Sequence, residues 1–266
     1  MGFVASFNFM ALHETIHRSA FKTRVFNDIG MQVAGFLTLR PAFHYFYYHW
    51  QHHKYTGDPE RDSELQPSLL DMDVSTVPGY VAYISGIPFW FDAISTTIKH
   101  ALGMTEDKPY INTPKAKSQV VWEARAYLVL YASLLIGGLS LAPLGSWLLT
   151  FWVLPALIGQ PFLRFYLFGE HRGCQETTNV LQNTRTMDTN WFYRKMAWYM
   201  PYHLEHHAWP YVPFHKLEQA NRLVTSAGGW SDECSPTGEG GYMGMNLKFL
   251  QDFLPRKDEK FPSGAA

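Results

Sequence analysis

Cysteine is scarce in this chain and an excess of positive charge is absent. The 266 residues include only Cys174 and Cys234, which are too few for a disulfide framework and typical of a reducing compartment. Structural zinc sites are usually rich in cysteine, so two isolated cysteines do not predict one. The formal net charge of -1 provides no basic field, and we predict no nucleic-acid partner.

Several common motifs are also missing. The sequence contains no dinucleotide fingerprint and no phosphate-binding loop. Residues 1–12 lack the basic start of a secretory signal. They are apolar but too short to span a bilayer, and they resemble the last turns of a helix whose beginning is missing. His13 and Glu14 begin a zinc-protease motif, but the next histidine, His17, comes one residue too early.

Histidine, in contrast, is abundant and clustered. Residues 49–53 (HWQHH) and 203–207 (HLEHH) share the pattern HxxHH, and a looser pair lies within residues 13–17 (HETIH). Residues three or four apart share one face of a helix, so each cluster turns at least two imidazoles the same way. Imidazole suits iron, zinc, copper and nickel. The three clusters hold eight of the 12 histidines, too many for one ion and about right for two.

Charged residues are absent from residues 126–163, although the mean hydropathy of the whole chain is only -0.17. That run is long enough for two membrane-spanning helices of about 18–20 residues each. We therefore predict an all-α integral membrane bundle with a hairpin of residues 127–142 and 147–168, turning at residues 143–146. A buried pair of helices in a soluble bundle is the alternative, but such a pair would normally show a polar face.

Basic residues flank both ends of this hairpin. Lys117 and Arg125 precede it, and Arg164 and Arg172 follow it. The positive-inside rule places both ends in the cytoplasm, so the histidine clusters form one cytoplasmic cap. Residues 26–48 must then begin and end on the same side, which predicts a surface or shallow re-entrant helix.

The remaining segments predict smaller elements. Residues 77–98 are typical of an interfacial segment, residues 183–199 of a helix leading into the third cluster, and residues 214–223 of an amphipathic helix. From residue 228 the sequence is polar and rich in glycine. We predict one domain over residues 1–227 and a polar carboxyl-terminal tail over residues 228–266.

Acidic residues near the clusters are candidates to hold the imidazoles. A metal-bound imidazole needs an acceptor for its second ring nitrogen. For each candidate, a solvated surface charge is the alternative interpretation. The candidates are Glu14, Asp58, Asp62, Glu170, Asp188 and Glu205.

The three clusters resemble the histidine boxes of the membrane fatty acid desaturase superfamily, in the same order and with an apolar hairpin between the second and third boxes. The segments GDPERD after the second box and AWPYVP after the third also resemble this family, and the resemblance covers residues 13–217. It implies a helical membrane enzyme with two non-haem iron ions that uses O₂ and a separate electron donor, such as cytochrome b5 or a ferredoxin. The metal ligands that it implies in the boxes are His13, His17, His49, His52, His53, His203, His206 and His207.

Four further features bear on this resemblance. His171 directly follows the hairpin, where some family members carry a further ligand, and we include it among the predicted ligands. Leu167 stands where acyl-CoA desaturases tend to carry an asparagine, so close similarity to that branch is not expected. The family usually has a transmembrane hairpin before the first box, and this hairpin is expected to be truncated here. His44, His100 and His215 match no box and are interpreted as structural or surface residues.

The sequence therefore predicts an O₂-dependent desaturase that introduces a double bond into a lipid acyl chain. A hydroxylase or epoxidase of a lipid or carotenoid is an alternative, because it follows from the same hydrogen abstraction. The same motifs would also fit a non-catalytic membrane metal-binding protein or an inactive truncated paralogue. The expected location is the endoplasmic reticulum membrane of a eukaryote or the inner membrane of a bacterium, with the active site facing the cytoplasm.

Overall fold

The computed structural model describes residues 1–66, 73–230 and 240–253. Every regular element in these ranges is helical, which confirms the predicted all-α class. In chain order the helices are α1 (Gly2–Ser6), α2 (Asn8–Ile16), α3 (Arg24–Leu37), α4 (Ala42–Tyr55), α5 (Val77–Ser85), α6 (Ile87–Ala101), α7 (Pro114–Ser140), α8 (Ala142–Leu148), α9 (Leu154–His171), α10 (Val180–Asn183), α11 (Trp191–Met196), α12 (His203–Ala208), α13 (Phe214–Ser226) and α14 (Gly241–Phe253). One turn of π-helix, Leu149–Val153, joins α8 to α9.

Two helical stretches are long and apolar enough to cross a membrane. They are Pro114–Ser140 and the continuous run Ala142–His171, and they contain the predicted hairpin. Only 28% of the apolar window in the first stretch and 11% in the second is buried inside the protein. The apolar helix of a soluble core would be largely buried, so this exposure favours a lipid environment.

The hairpin turns slightly earlier than the sequence indicates. Leu141 has an extended backbone, with φ -124° and ψ 93°, between α7 and α8. Pro143 lies in the first turn of α8 and not in a loop. Proline suits that position, because the backbone N–H that it lacks would have no helical partner there. The prediction of a turn at residues 143–146 was wrong for this reason.

The segments predicted as single interfacial elements each contain two helices. Residues 26–48 divide between α3 and α4, and residues 77–98 divide between α5 and α6. Gly86 separates α5 from α6 with φ +70°. A Cβ atom there would lie 2.6 Å from the Cβ of Gln160 on α9, so glycine allows this corner to approach α9 closely.

The helix predicted over residues 183–199 was mostly wrong. Only α10, which ends at Asn183, and α11 are helical there. The Asn183 amide donates to the carbonyl oxygens of Thr56 and Thr177, at 2.9 and 2.8 Å. Tertiary contacts therefore fix an irregular path, which helical periodicity does not reveal. The predicted amphipathic helix over residues 214–223 is present as α13.

Helix α14 packs against α9. The Tyr242 ring lies 4.8 Å from the Tyr166 ring, and Asn246 accepts a hydrogen bond from Tyr80 at 2.7 Å. The segment predicted as a polar tail thus contains a packed helix. Residues 231–239 and 254–266, including Cys234, lie outside the described residues, and the domain boundary at residue 227 stays a prediction.

One buried cluster of apolar side chains joins the amino-terminal helices to α4, α9 and α13. Its members include Leu12 and Ile16 of α2, Tyr45 of α4, Tyr166 of α9 and Leu217 of α13. Leu12, Ile16 and Leu217 have no exposed surface. Because α2 alternates these residues with His13 and His17, burial of its apolar face fixes the direction of its imidazoles.

Glu123 of α7 connects the apolar hairpin to α3 and α4. Its carboxylate accepts from the Gln32 side chain at 2.6 Å and from the Phe43 backbone N–H at 2.7 Å. The Tyr127 hydroxyl, one turn later, donates to the Gln32 carbonyl oxygen at 2.9 Å. This polar contact positions the start of α4, which carries the second histidine box.

We expect Glu123→Ala to lower the free energy of unfolding by about 1–3 kcal/mol, because it leaves two donors unpaired. Denaturant titration in detergent micelles, followed by tryptophan fluorescence, measures this change. Ser118→Ala, at an exposed position of the same helix, is the control and should change it by less than about 0.5 kcal/mol. Equal stability of the two variants would contradict the role of Glu123.

A candidate metal centre of nine histidines

Four helices bring the histidines together. The first box lies at the end of α2, the second in α4 and the third in α12, while His171 is the last residue of α9. Seven of the nine side chains are buried, and those of His53 and His171 are partly buried. The structure therefore places residues from positions 13 to 207 in one interior site, as the boxes predicted.

The ring nitrogens form two groups. Within each group, one nitrogen from every histidine lies within 4.8 Å of the others. His203 lies beside the second group, with its Nε2 atom 3.0 Å from the Nε2 atom of His171, and its ring centre is 6.5 Å from that of His13 in the first group. The first group is His13, His17, His49, His53 and His206, and the second is His52, His171 and His207.

Distances between neighbouring nitrogens fit ligands around a metal ion. The Nε2 atom of His53 lies 3.0 Å from that of His49 and 3.1 Å from that of His206. Two imidazole nitrogens at right angles, each about 2.1 Å from one ion, would be about 3.0 Å apart. Both ring nitrogens of His17 and the Nε2 atom of His207 are buried without a hydrogen-bond partner. This donor set fits two transition-metal ions.

Burial keeps most of these imidazoles neutral, which is the form that binds metal. It lowers the pKa of His13 to about 3 and holds the pKa values of His17, His49 and His206 well below the usual value. His52 differs: burial lowers its pKa, but the charges of Glu64 and Asp62 outweigh burial, and the net pKa is raised.

Three of the predicted carboxylates lie beside the imidazoles. Asp62 accepts a hydrogen bond from His52 Nδ1 at 2.9 Å. An oxygen of Glu170 lies 3.4 Å from His203 Nδ1. An oxygen of Glu14 lies 4.0 Å from the Nδ1 atoms of both His13 and His206.

A tight loop holds Asp62 in place. Its second carboxylate oxygen accepts from the Gly57 backbone N–H at 2.8 Å. Gly57 has φ +77°, and a Cβ atom there would collide with the carbonyl oxygen of Thr177. Glycine is therefore required at this position.

The other three predicted carboxylates have different partners. Asp58 pairs with Arg61, and Asp188 pairs with Arg194 at the surface. Glu205 is fully buried but accepts from Thr186, Asn221 and Trp230, at 2.6, 2.6 and 3.2 Å. It fixes α12 against α13 and does not bond to an imidazole among the described residues. Its place inside HLEHH gave no indication of this, because the faces of a short helix depend on its tertiary contacts.

Several neighbours of the imidazoles were missed by the sequence analysis. Glu64 has its oxygens 3.8 Å from His49 Nδ1 and 3.9 Å from His52 Nε2. It lies two residues after Asp62, and that proximity was a usable signal. A backbone carbonyl has no such signal, yet the oxygen of Asn183 lies 2.9 Å from His171 Nδ1.

The remaining histidines lie elsewhere, as interpreted from the sequence. The His44 Nε2 atom lies 3.0 Å from the Tyr110 hydroxyl, and its ring is 4.7 Å from that of the buried His100. His215 is exposed. None of these three belongs to either group of candidate ligands among the described residues.

Comparison with known proteins agrees with this geometry. The sequence profile of the family described as "Fatty acid desaturase" matches residues 1–231. The chain is similar to a dihydrorhizobitoxine desaturase of Bradyrhizobium elkanii, with 26% identity over 219 residues, covering 79% of this chain and 62% of that protein. It is also similar to a sphingolipid delta(4)-desaturase of Candida albicans (strain SC5314 / ATCC MYA-2876), with 22% identity over 234 residues, covering 81% of this chain and 58% of that protein.

The chain spans about three-fifths of the length of these curated relatives. The family match, however, extends over most of the chain and includes all three histidine boxes and His171. The chain belongs to the fatty acid desaturase family.

Proposed function

We propose that the nine histidines hold two iron ions and that the chain uses O₂ to introduce a double bond into a lipid acyl chain. The observation that carries this proposal is the arrangement of two groups of imidazole nitrogens, most of them buried and neutral, on four helices. Imidazole suits iron, and the two groups adjoin at His53 and His207, whose ring centres are 4.2 Å apart, as expected for two ions in one interior site. The family match supports the same reaction class.

When bound, the two irons supply the oxidising chemistry needed to remove hydrogen from an unactivated C–H bond, which no side chain does alone. The reaction balances if two hydrogen atoms leave adjacent carbons and combine with O₂, two electrons and two protons to give two waters and a C=C bond. The electrons come from a separate donor, such as cytochrome b5 or a ferredoxin.

The chain's own residues prepare the site for this chemistry. Asp62 accepts the Nδ1 proton of His52 and thereby directs its Nε2 atom inward. Glu14 and Glu170 lie where they can orient further imidazoles. The Trp50 ring lies 5.0 Å from the His17 ring and limits the access of water to it.

Membrane location also follows from the proposal. The apolar helices Pro114–Ser140 and Ala142–His171 supply a lipid-facing body, and their basic flanks support a cytoplasmic position for the histidine cap. We place the chain in the endoplasmic reticulum membrane if it is eukaryotic and in the inner membrane if it is bacterial.

The direct test combines metal content with product analysis. We expect purified chain reconstituted with ferrous iron to hold about two irons. With a lipid substrate, O₂ and a donor system, it should form a product lighter by two hydrogens. Reduced nicotinamide cofactor alone should give no turnover. A product heavier by one oxygen would instead indicate the hydroxylase or epoxidase, and a single zinc or copper per chain would favour a non-catalytic metal-binding protein.

We expect His206→Ala to lower the oxidation rate by more than about a hundredfold and to reduce iron binding, because loss of a ligand exceeds the usual effect of losing a supporting contact. His215→Ala removes an exposed imidazole and should leave both unchanged. Circular dichroism checks that each variant folds. Full activity of folded His206→Ala would remove this residue from the centre.

Asp62→Asn tests the contact that supports His52. Replacing the charged acceptor should weaken iron binding about 10- to 100-fold, as measured by competition with a colorimetric chelator. Asp58→Asn is the matched control in the same loop, because Asp58 pairs with Arg61 and not with an imidazole. If both variants bound iron as the unsubstituted chain does, Asp62 would have no supporting role.

A further inference from the structure

Arg40 and Arg164 both lie over the aromatic ring of Phe89. The Cζ atom of each guanidinium lies 4.6 Å from the centre of the Phe89 ring. Arg40 also lies over the Tyr45 ring at 5.0 Å, and Arg164 lies over the Tyr83 ring at 5.3 Å. These cation–π contacts hold the two cations in place without neutralising them.

Neither guanidinium has an ion-pair partner in the part of the chain that the structure describes. Among the described residues, no carboxylate oxygen lies within the 4.0 Å ion-pair distance of either guanidinium, and neither side chain makes a hydrogen bond within 3.5 Å. The Nε atom of Arg164 is buried and unpartnered. Glu64 acts on both cations, but from beyond ion-pair distance. Burial lowers the pKa of Arg40, and the charge of Arg164 lowers it as well.

Two partly buried cations over the same aromatic ring repel each other, and this repulsion falls when an anion binds near both. Guanidinium groups are well suited to this role, since each can donate two parallel hydrogen bonds to a carboxylate or phosphate.

A cavity of about 210 Å³ adjoins Arg40. Its walls are largely apolar and include Leu37, Trp152 and Leu163, while Arg40 and Gln160 provide polar groups. The Gln160 Oε1 atom is buried without a partner. Pockets for whole ligands usually measure about 300–1,000 Å³, so this cavity suits one part of an amphiphilic molecule.

Arg40 is one aromatic ring away from the candidate metal centre. Tyr45, which lies under Arg40, stacks on the His49 ring with the ring centres 5.2 Å apart. Its hydroxyl is 3.5 Å from His49 Nδ1. A molecule anchored at Arg40 would therefore be held at a short, fixed distance from the histidines.

We propose that Arg40 and Arg164 form a subsite for the anionic group of the substrate, a carboxylate or a phosphate, whose apolar part enters the adjoining cavity. This inference rests on the proposed function, because it names the substrate class of the same centre. The substrate is then an anionic amphiphile and not a neutral hydrocarbon or alcohol.

Calorimetric titration of metal-free chain in nonionic detergent tests this subsite. The ligands are hexanoate, hexyl phosphate and hexanol, which share one alkyl chain and differ in charge. We expect at least one of the two anions to bind more tightly than hexanol. Arg40→Gln and Arg164→Gln should each weaken binding of that anion about tenfold or more, while hexanol binding stays the same.

Arg125→Gln is the matched control. Arg125 also lies over an aromatic ring, with its Cζ atom 4.9 Å from the centre of the Trp122 ring, but it bonds to the Ala101 carbonyl oxygen at another part of the surface. This variant loses the same charge and the same type of contact. Its affinity for the anions should equal that of the unsubstituted chain.

Lysine variants keep the test decisive if a glutamine variant does not fold. Arg40→Lys and Arg164→Lys retain the charge but lose the bidentate hydrogen bonding of a guanidinium group, so we expect anion binding of intermediate strength. Affinity that is unchanged in all folded variants, or equal for hexanol and both anions, would overturn the subsite. A preference for hexyl phosphate would identify a phosphate-bearing lipid, and a preference for hexanoate would identify a free carboxylate.

The two proposals can fail separately. Anion binding is measured without metal, so its absence would leave the iron content and the oxidation assay unaffected. Conversely, a chain that binds hexanoate through both arginines but oxidises no lipid would contradict the proposed function alone.

Discussion

The convergence of nine imidazoles, seven of them buried, on one interior site is the constraint on which the rest of the structure depends. Each ring loses water on burial, and several nitrogens, including both of His17, gain no hydrogen bond in return. Burial of unpartnered polar groups is costly. Metal ions bound to these nitrogens would offset that cost, and metal binding would then contribute to the stability of the fold.

The apolar hairpin and the histidine site are connected through shared helices. Helix α9 carries Gln160, Arg164 and His171 in succession, so one helix links the cavity, the cationic pair and the candidate metal centre. Glu123 fastens the other arm of the hairpin to the start of α4. Movement of the hairpin would therefore shift the second box relative to His171. Stable packing is needed to keep the candidate ligands within about 0.5 Å of the positions that bind metal.

Electrostatic compensation differs across the interior. His52 has Asp62 as a direct partner, so its charge state is controlled locally. Arg40 and Arg164 have aromatic rings around them but no bonded anion among the described residues. The first arrangement is complete within the chain, whereas the second is completed by an external anion. Asp62 thus supports the candidate metal centre, whereas Arg40 and Arg164 belong to the proposed substrate subsite.

The sequence by itself determined the helical class, the apolar hairpin and the candidate metal-binding histidines, because these depend on local composition and on spacings of three and four residues. Tertiary structure decided the partners. Asp62 reaches an imidazole while Asp58, in the same loop, does not, and Glu205 braces a helix. It also brought Arg40 and Arg164, far apart in sequence, to the two contacts with Phe89. Such pairings depend on how helices pack in three dimensions, and no local pattern encodes them.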